Sequence, residues 1–150
     1  MRWHWHRWSA LSADDVYELL ALRARVFVVE QTCPYLDPDG LDRQCWHLLG
    51  RDDAGVLQAY LRVVDPGLKY TEPAIGRVVT APEARGSGLG RALMAEGVAR
   101  TLAAWPGQGV RISAQAHLER FYAGLGFEPV GEPYLEDDIP HLEMLLRSPR

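Results

Sequence analysis

At the N-terminus Trp3 and Trp5 alternate with His4 and His6, the period of a half-buried edge strand. From Ala13 the period lengthens. Val16, Leu19, Leu20, Val26 and Phe27 fall on one helical face, and Ser12-x-x-Asp15 supplies an approximate capping box, so a helix is predicted from about Ala13 to Glu30. Arg23 and Glu30 interrupt that apolar face. A buried guanidinium needs a carboxylate, and Glu30 lies two turns on, so the pattern predicts a structural Arg23–Glu30 ion pair. Cys45 to Gly50 and Val56 to Val64 read as a hairpin across Asp52-Asp-Ala-Gly55, ended by Asp65-Pro-Gly67. Ile75, Val78 and Val79 mark a buried strand that Pro82 cannot continue, so it ends near Thr80. Beyond Gly90, Met94, Val98, Thr101, Leu102 and Trp105 recur on one face with Glu96 and Arg100 opposite, which predicts a core-facing helix. Val110 to Gln115 is a further short strand, parallel to the one ending at Thr80 if the helix between them crosses over in the usual sense.

Between the Thr80 strand and the next helix lie Gly86, Gly88 and Gly90. Glycines at alternate positions let successive N–H groups converge on one point, and the free N–H groups of a helix starting near Leu89 face the same point. A phosphate suits that geometry, although a structural turn without a ligand would use the same glycines. The spacing G-x-G-x-G is neither the dinucleotide fingerprint G-x-G-x-x-G nor a Walker loop, which needs a Gly-Lys pair that the chain lacks.

Length and composition then narrow the field. The 150 residues, 47% apolar and 24% charged, fit one globular domain over 1–150. A net charge of -4 gives no nucleic-acid footprint, and no apolar run approaches the roughly 20 residues that span a bilayer. The first eight residues have no signal-peptide h-region, so a cytoplasmic location is expected, with Cys33 and Cys45 as thiols. His4-x-His6 has no matching ligand set and is read as edge-strand surface, so no metal is expected. Asp37, Asp39 and Asp42 surround Gly40 out of calcium-loop register, with no closing Glu, and are read as solvated acids on a Pro/Gly turn.

Arg85-x-x-Gly88-x-Gly90 resembles the acyl-CoA pyrophosphate loop, [QR]-x-x-G-x-[GA], of the GNAT superfamily of N-acetyltransferases, at the strand-to-helix junction where that family has it. Leu118 to Phe127 resembles its second signature, a helix ending in F-Y-x-x-x-G-F. Val28 to Asp42, with Gln115-Ala116-His117 and Ile139-Pro140-His141, is similar to the ElaA-type subgroup, and the likeness covers nearly the whole chain. The resemblance implies an α/β (α+β) fold: a mixed, mostly antiparallel sheet with a splayed parallel strand pair, flanked by helices. It also implies acetyl-CoA as cosubstrate. Main-chain groups of Val78, Val79 and Thr80 would meet the thioester and pantetheine arm, and the amides of Arg85, Gly86, Ser87, Gly88, Leu89, Gly90 and Arg91 the pyrophosphate. Gln115 stands where the family commonly has an Asn that touches CoA.

Tyr122 matches the residue that protonates the departing thiolate. Ala74 stands where some members carry a glutamate base, which leaves Glu30, His47, His141 or a water chain as candidates. The first helices wall the acceptor pocket in this fold, which gives Arg23 and Glu30 a second reading at its edge. The expected activity is transfer of an acetyl group to a small-molecule or peptide amine, with a homodimer left open. Two alternatives share the fold: an acyl-homoserine-lactone-synthase-like acyltransferase, suggested by Arg23-x-x-Val26-Phe27-x-x-Glu30, and a non-catalytic CoA-binding module.

Overall fold

The computed structural model describes residues 1–149; Arg150, the last residue of the expected domain, lies outside them. Strand β1 (Arg2–Arg7) is followed by helix α1 (Ala13–Arg23), which runs without a break into a π-helical segment, Ala24–Glu30. Then come β2 (Cys45–Arg51), β3 (Leu57–Val64), β4 (Ala74–Thr80), α2 (Leu89–Ala104), β5 (Val110–Gln115), the short α3 (Glu119–Ala123), β6 (Glu128–Pro129), β7 (Tyr134–Glu136) and β8 (Ile139–Leu146). One sheet orders them β1-β2-β3-β4-β5-β8-β6, with β7 also on β8. Every pairing is antiparallel except β4 with β5. This is the expected mixed sheet with its parallel pair.

Each face of the sheet has its own core. Leu61, Val63, Ile112, Ala114, Leu142 and Met144 pack against α2 and α3, while Leu49, Tyr60 and Val79 pack against Leu19, Leu22 and Val26 of α1 and its π-helical extension. Alternation along each strand sends successive side chains to opposite layers. Helix α2 sits very close to β3 because Gly97 has no side chain: a Cβ there would lie 2.6 Å from Leu61. The α1 capping box is complete, with Ser12 and Asp15 exchanging bonds of 3.0 Å. No helix among the described residues is long and apolar enough to cross a membrane.

The predicted Arg23–Glu30 pair does not form. Beyond Arg23 the winding widens, with Gln31 and Cys33 donating to Val26 and Val28 carbonyls, and this turns Glu30 off the face that carries Arg23. The fully buried Arg23 instead pairs with Asp37 and Asp42, both at 2.7 Å. Asp37 and Asp42 are therefore not solvated acids, and Asp39, though exposed, is paired with Arg62. Asp37 and Asp42 are buried, and the loop that carries them closes over three arginines from three elements: Arg23 of α1, Arg62 of β3 and Arg77 of β4. Three guanidiniums balance three carboxylates, so the buried charges cancel. Burial alone would raise the Asp42 carboxyl, but its bonds from Arg23 and Arg62 outweigh that and hold it below its ordinary value.

Candidate active site

Strands β4 and β5 touch only at their starts, where Ala74 faces Arg111 and Ile75 faces Ile112. Beyond that they part. The register of β4 against β3 slips between Tyr60 and Arg62, where Arg77 takes a left-handed φ of 51° that non-glycine residues seldom adopt. Ala81 N–H donates to Gln58 of β3 at 2.8 Å. Because N–H groups alternate along a strand, those of Thr80 and Val78 face the opposite edge, into the gap. Both residues line a cleft of about 460 Å³ that passes through the sheet at this point. The same alternation turns the main chain of Val79 toward Tyr60, and its side chain is buried beneath α1.

At one end of the gap is the glycine loop. Gly86 and Gly88 have φ of 83° and 80°, and Gly88 is the N-cap residue just before α2. Ala92 N–H is held by the Gly88 carbonyl at 3.1 Å, so the N–H groups of Leu89, Gly90 and Arg91 precede the first intrahelical bond. The Ser87 hydroxyl is turned away, donating to Ala84 at 2.7 Å. Arg85 forms two bonds to Glu30, at 2.5 and 2.9 Å, which close the mouth of the cleft by linking the loop to the π-helical segment. The Arg85 bond holds the Glu30 carboxyl below its ordinary range, the wrong direction for a base. Gln115, at the end of β5, exchanges amide bonds of 3.2 and 3.4 Å with Gln31 across the same gap.

Tyr122 comes to the cleft from α3. Its ring packs edge-on against Phe121 and Phe127, it is 6% exposed, and burial alone pushes its phenol up to about 12. His47 stands elsewhere, sealed beneath the loop of the three aspartates. Its Nδ1 accepts from the Tyr60 hydroxyl at 2.6 Å and its Nε2 donates to the Asp42 carbonyl at 2.8 Å. Burial lowers it to about 4, and with both nitrogens bonded it has neither access to the cleft nor a free lone pair. Geometry therefore removes His47 from the candidate bases.

His141 does line the cleft, on β8 opposite Gln115 and Tyr134. Its Nδ1 lies 2.7 Å from the Ile139 carbonyl and its Nε2 3.3 Å from the Glu136 carboxylate. Nearby, the Ser113 and Tyr134 hydroxyls are hydrogen-bonded to one another. Three participants were missed from the sequence. Arg62 carried a signal, an arginine inside the apolar run of β3, and Glu136 opened the acidic triplet before Ile139. The left-handed Arg77 carried none.

The family profile described as "Acetyltransferase (GNAT) domain" matches residues 47–148. A UPF0039 protein of Synechocystis is 47% identical over 149 residues, covering 99% of this chain and 97% of that protein. Protein ElaA of Escherichia coli is 43% identical over 139 residues, covering 91% of this chain and 90% of its own. The E. coli ElaA crystal structure superposes with a TM-score of 0.90 over 98% of this chain and 100% of that one, at 41% identity. A Pseudomonas aeruginosa structure described as an acyl-CoA N-acyltransferase gives 0.92 at 45% identity, over 97% of this chain and 98% of that one.

Proposed function

The chain belongs to the GNAT family of acetyltransferases, and from that premise we propose that it moves an acetyl group from acetyl-CoA to a primary amine, by direct attack within one ternary complex. One observation carries the reading: Val78 and Thr80, whose N–H groups are free of β3, line a gap that also receives the Tyr122 side chain, and the exposed glycine loop follows directly on Arg85, which lines the same gap. The residues fit the cosubstrate. The amides of Gly86 to Arg91 would hold the pyrophosphate at the α2 N-terminus, and the N–H groups of Val78 and Thr80 the arm and the thioester oxygen. Acetyl-CoA supplies the activated acyl carbon. A fixed N–H at the thioester oxygen stabilises the charge that grows there as the amine attacks. Holding amine and thioester in one cleft contributes on the order of 7–11 kcal/mol as proximity, which makes a covalent enzyme intermediate unnecessary. Cys33 and Cys45 need no role as nucleophiles; Cys33 donates to Asp137 and Cys45 to Leu41. Tyr122 is the donor to the departing thiolate, and the acceptor is a small molecule or peptide bearing the amine.

The experiment is calorimetry with acetyl-CoA, coupled to thiol release in the presence of amines. Gly88→Asp places a side chain and a negative charge in the cradle, at a φ that L side chains rarely adopt. Acetyl-CoA binding should be lost while the circular dichroism spectrum is kept. Parental affinity in Gly88→Asp refutes the loop as the cosubstrate site.

A further inference from the structure

We propose that His141 is the base that deprotonates the acceptor, and that Glu136 docks the acceptor ammonium beside it. The inference rests on the acetyl-transfer reading and completes it. Only an N–H can face a carbonyl, so the 2.7 Å contact with Ile139 places the proton on Nδ1 and leaves Nε2, in the neutral ring, with a lone pair. Nε2 then faces the Glu136 carboxylate at 3.3 Å, two acceptors with no proton between them. Such a pair is satisfied by a donor, either the ring's own second proton or an ammonium that bridges the two groups from the side. Backbone geometry builds this arrangement. Asp137 and Asp138 both have left-handed φ, 50° and 62°, and close the two-residue turn that returns β8 beside β7. Cys33 donates to the Asp137 carbonyl and ties that turn to the end of the π-helical segment.

The position in the sheet supports the role. Ala114, Leu142 and Met144 face α2 and α3, so their neighbours Gln115, His141 and Glu143 face the other side. Tyr122, on α3, reaches the gap from the helix side. Acid and base thus approach the cleft from opposite faces of the sheet, so the incoming amine and the departing sulfur can each be served by its own group. The protons balance. Nε2 takes one from R–NH3+; the free amine forms the C–N bond and the C–S bond breaks. The thiolate receives the Tyr122 proton, which the second amine proton replaces, and His141 returns its own to solvent past the half-exposed Glu136.

The groups facing His141 are Glu136 and Tyr134 from β7, the latter ring stacked at 6.1 Å, and Gln115 from β5. Cys33, Tyr35, Arg62, Lys69, Tyr70, Arg77 and Asp137 are other titratable groups lining the cleft on this side, with Glu30 and Arg85 at its mouth.

Two measurements test the proposal. In the imidazole 15N spectrum, the signal missing from His141→Gln should report Nδ1–H with an unprotonated Nε2 in the neutral ring, and it should respond to n-butylammonium. With acetyl-CoA and n-butylamine, 1,4-diaminobutane or a short lysine peptide, His141→Gln should lower kcat on the order of 10²-fold near neutral pH at unchanged acetyl-CoA Kd. Its kcat/KM should then climb with pH toward the pKa of the amine, because only acceptor already deprotonated in solution can react. Glu136→Gln should act mainly on the amine KM. An Nε2–H tautomer overturns the proposal, and so does a His141→Gln profile like the parent's. A parent enzyme that releases no thiol with any of these amines overturns the transfer reading itself, and this inference with it.

Discussion

Replacing Tyr122 with Phe removes one hydroxyl and leaves the edge-on packing with Phe121 and Phe127 in place. The size of the effect follows from the environment of that hydroxyl. Burial pushes the phenol up to about 12, whereas a thiol ordinarily titrates near 8.5, so complete transfer from free phenol to thiolate is uphill by about 5 kcal/mol. In the proposed role Tyr122 would therefore act first as a hydrogen-bond donor to sulfur as charge builds on it, and would give up the proton only as the amine proton arrives to replace it. Removing one donor to a developing anion in a water-excluded site costs on the order of 10²- to 10³-fold in kcat. The assay is stopped-flow thiol release with the best acceptor from the amine panel, alongside calorimetry for acetyl-CoA. The fall should be in kcat, with the acetyl-CoA Kd within about twofold of the parent, because the interaction matters as the C–S bond breaks. The same phenol stays protonated through pH 6 to 10, so the parent's profile should show no alkaline limb from Tyr122 in that range. Unchanged kcat in a regime where chemistry limits turnover refutes the role and returns the ring to core packing. It would also leave protonation of the departing thiolate to water.

Asp42→Asn should cost about 3 kcal/mol in urea unfolding. That is the low end for breaking a buried pair, because Arg23 keeps Asp37 and Arg62 keeps Asp39. The loss should couple to Arg23→Met in a double-mutant cycle, and additive losses refute the pairing. Because the Asp42 carboxyl lies below its unfolded value, its contribution is complete above about pH 4 and disappears as pH falls through the folded value, so the parent–variant difference should shrink only on acidification. Glu30→Gln should release Arg85 for the pyrophosphate and tighten acetyl-CoA binding roughly two- to fivefold at low salt, an effect that added salt removes. Weaker binding in that variant would mean that Glu30 positions Arg85 rather than competing for it.

Periodicity located the secondary structure as far as β5, whereas β6, β7 and β8 were not read from it. Ser12 to Asp15, the β2–β3 hairpin, the end of β4 at Thr80 and the start of α2 at Leu89 all lie where local residue chemistry puts them. What the sequence could not show depends on winding and on distance along the chain. Seven residues separate Arg23 from Glu30, which is two α-helical turns, but the π-helical winding after Arg23 changes the phase and nothing in Ala24 to Glu30 announces it. Asp37, Asp39 and Asp42 look like surface acids until three arginines from distant elements are brought to them by the tertiary fold. The site divides in the same way. The glycine loop proposed for the cosubstrate is one contiguous stretch, readable from its spacing alone, whereas the pair formed by Glu136 and His141 depends on a two-residue turn with left-handed Asp137 and Asp138.

The buried charge cluster also bears on why the gap exists. Parallel strands pair along their length unless something prevents it, and β4 leaves β5 after Ile75, just before the bulge at Arg77. A left-handed non-glycine residue there costs on the order of 1 kcal/mol or more, so it persists only where other contacts hold it. Those contacts are the Arg77 side chain's own, to the Asp37 carboxylate at 3.0 Å and the Asp37 carbonyl at 2.9 Å. Asp37 is in turn fixed by Arg23, and the loop it belongs to by Arg62. The acids that resemble a solvated turn in the sequence thus clamp the bulge, and the bulge turns the Val78 and Thr80 amides into the cleft. Stability and the geometry of the proposed thioester site are joined at Asp37, so loosening that clamp should weaken acetyl-CoA binding before it unfolds the protein.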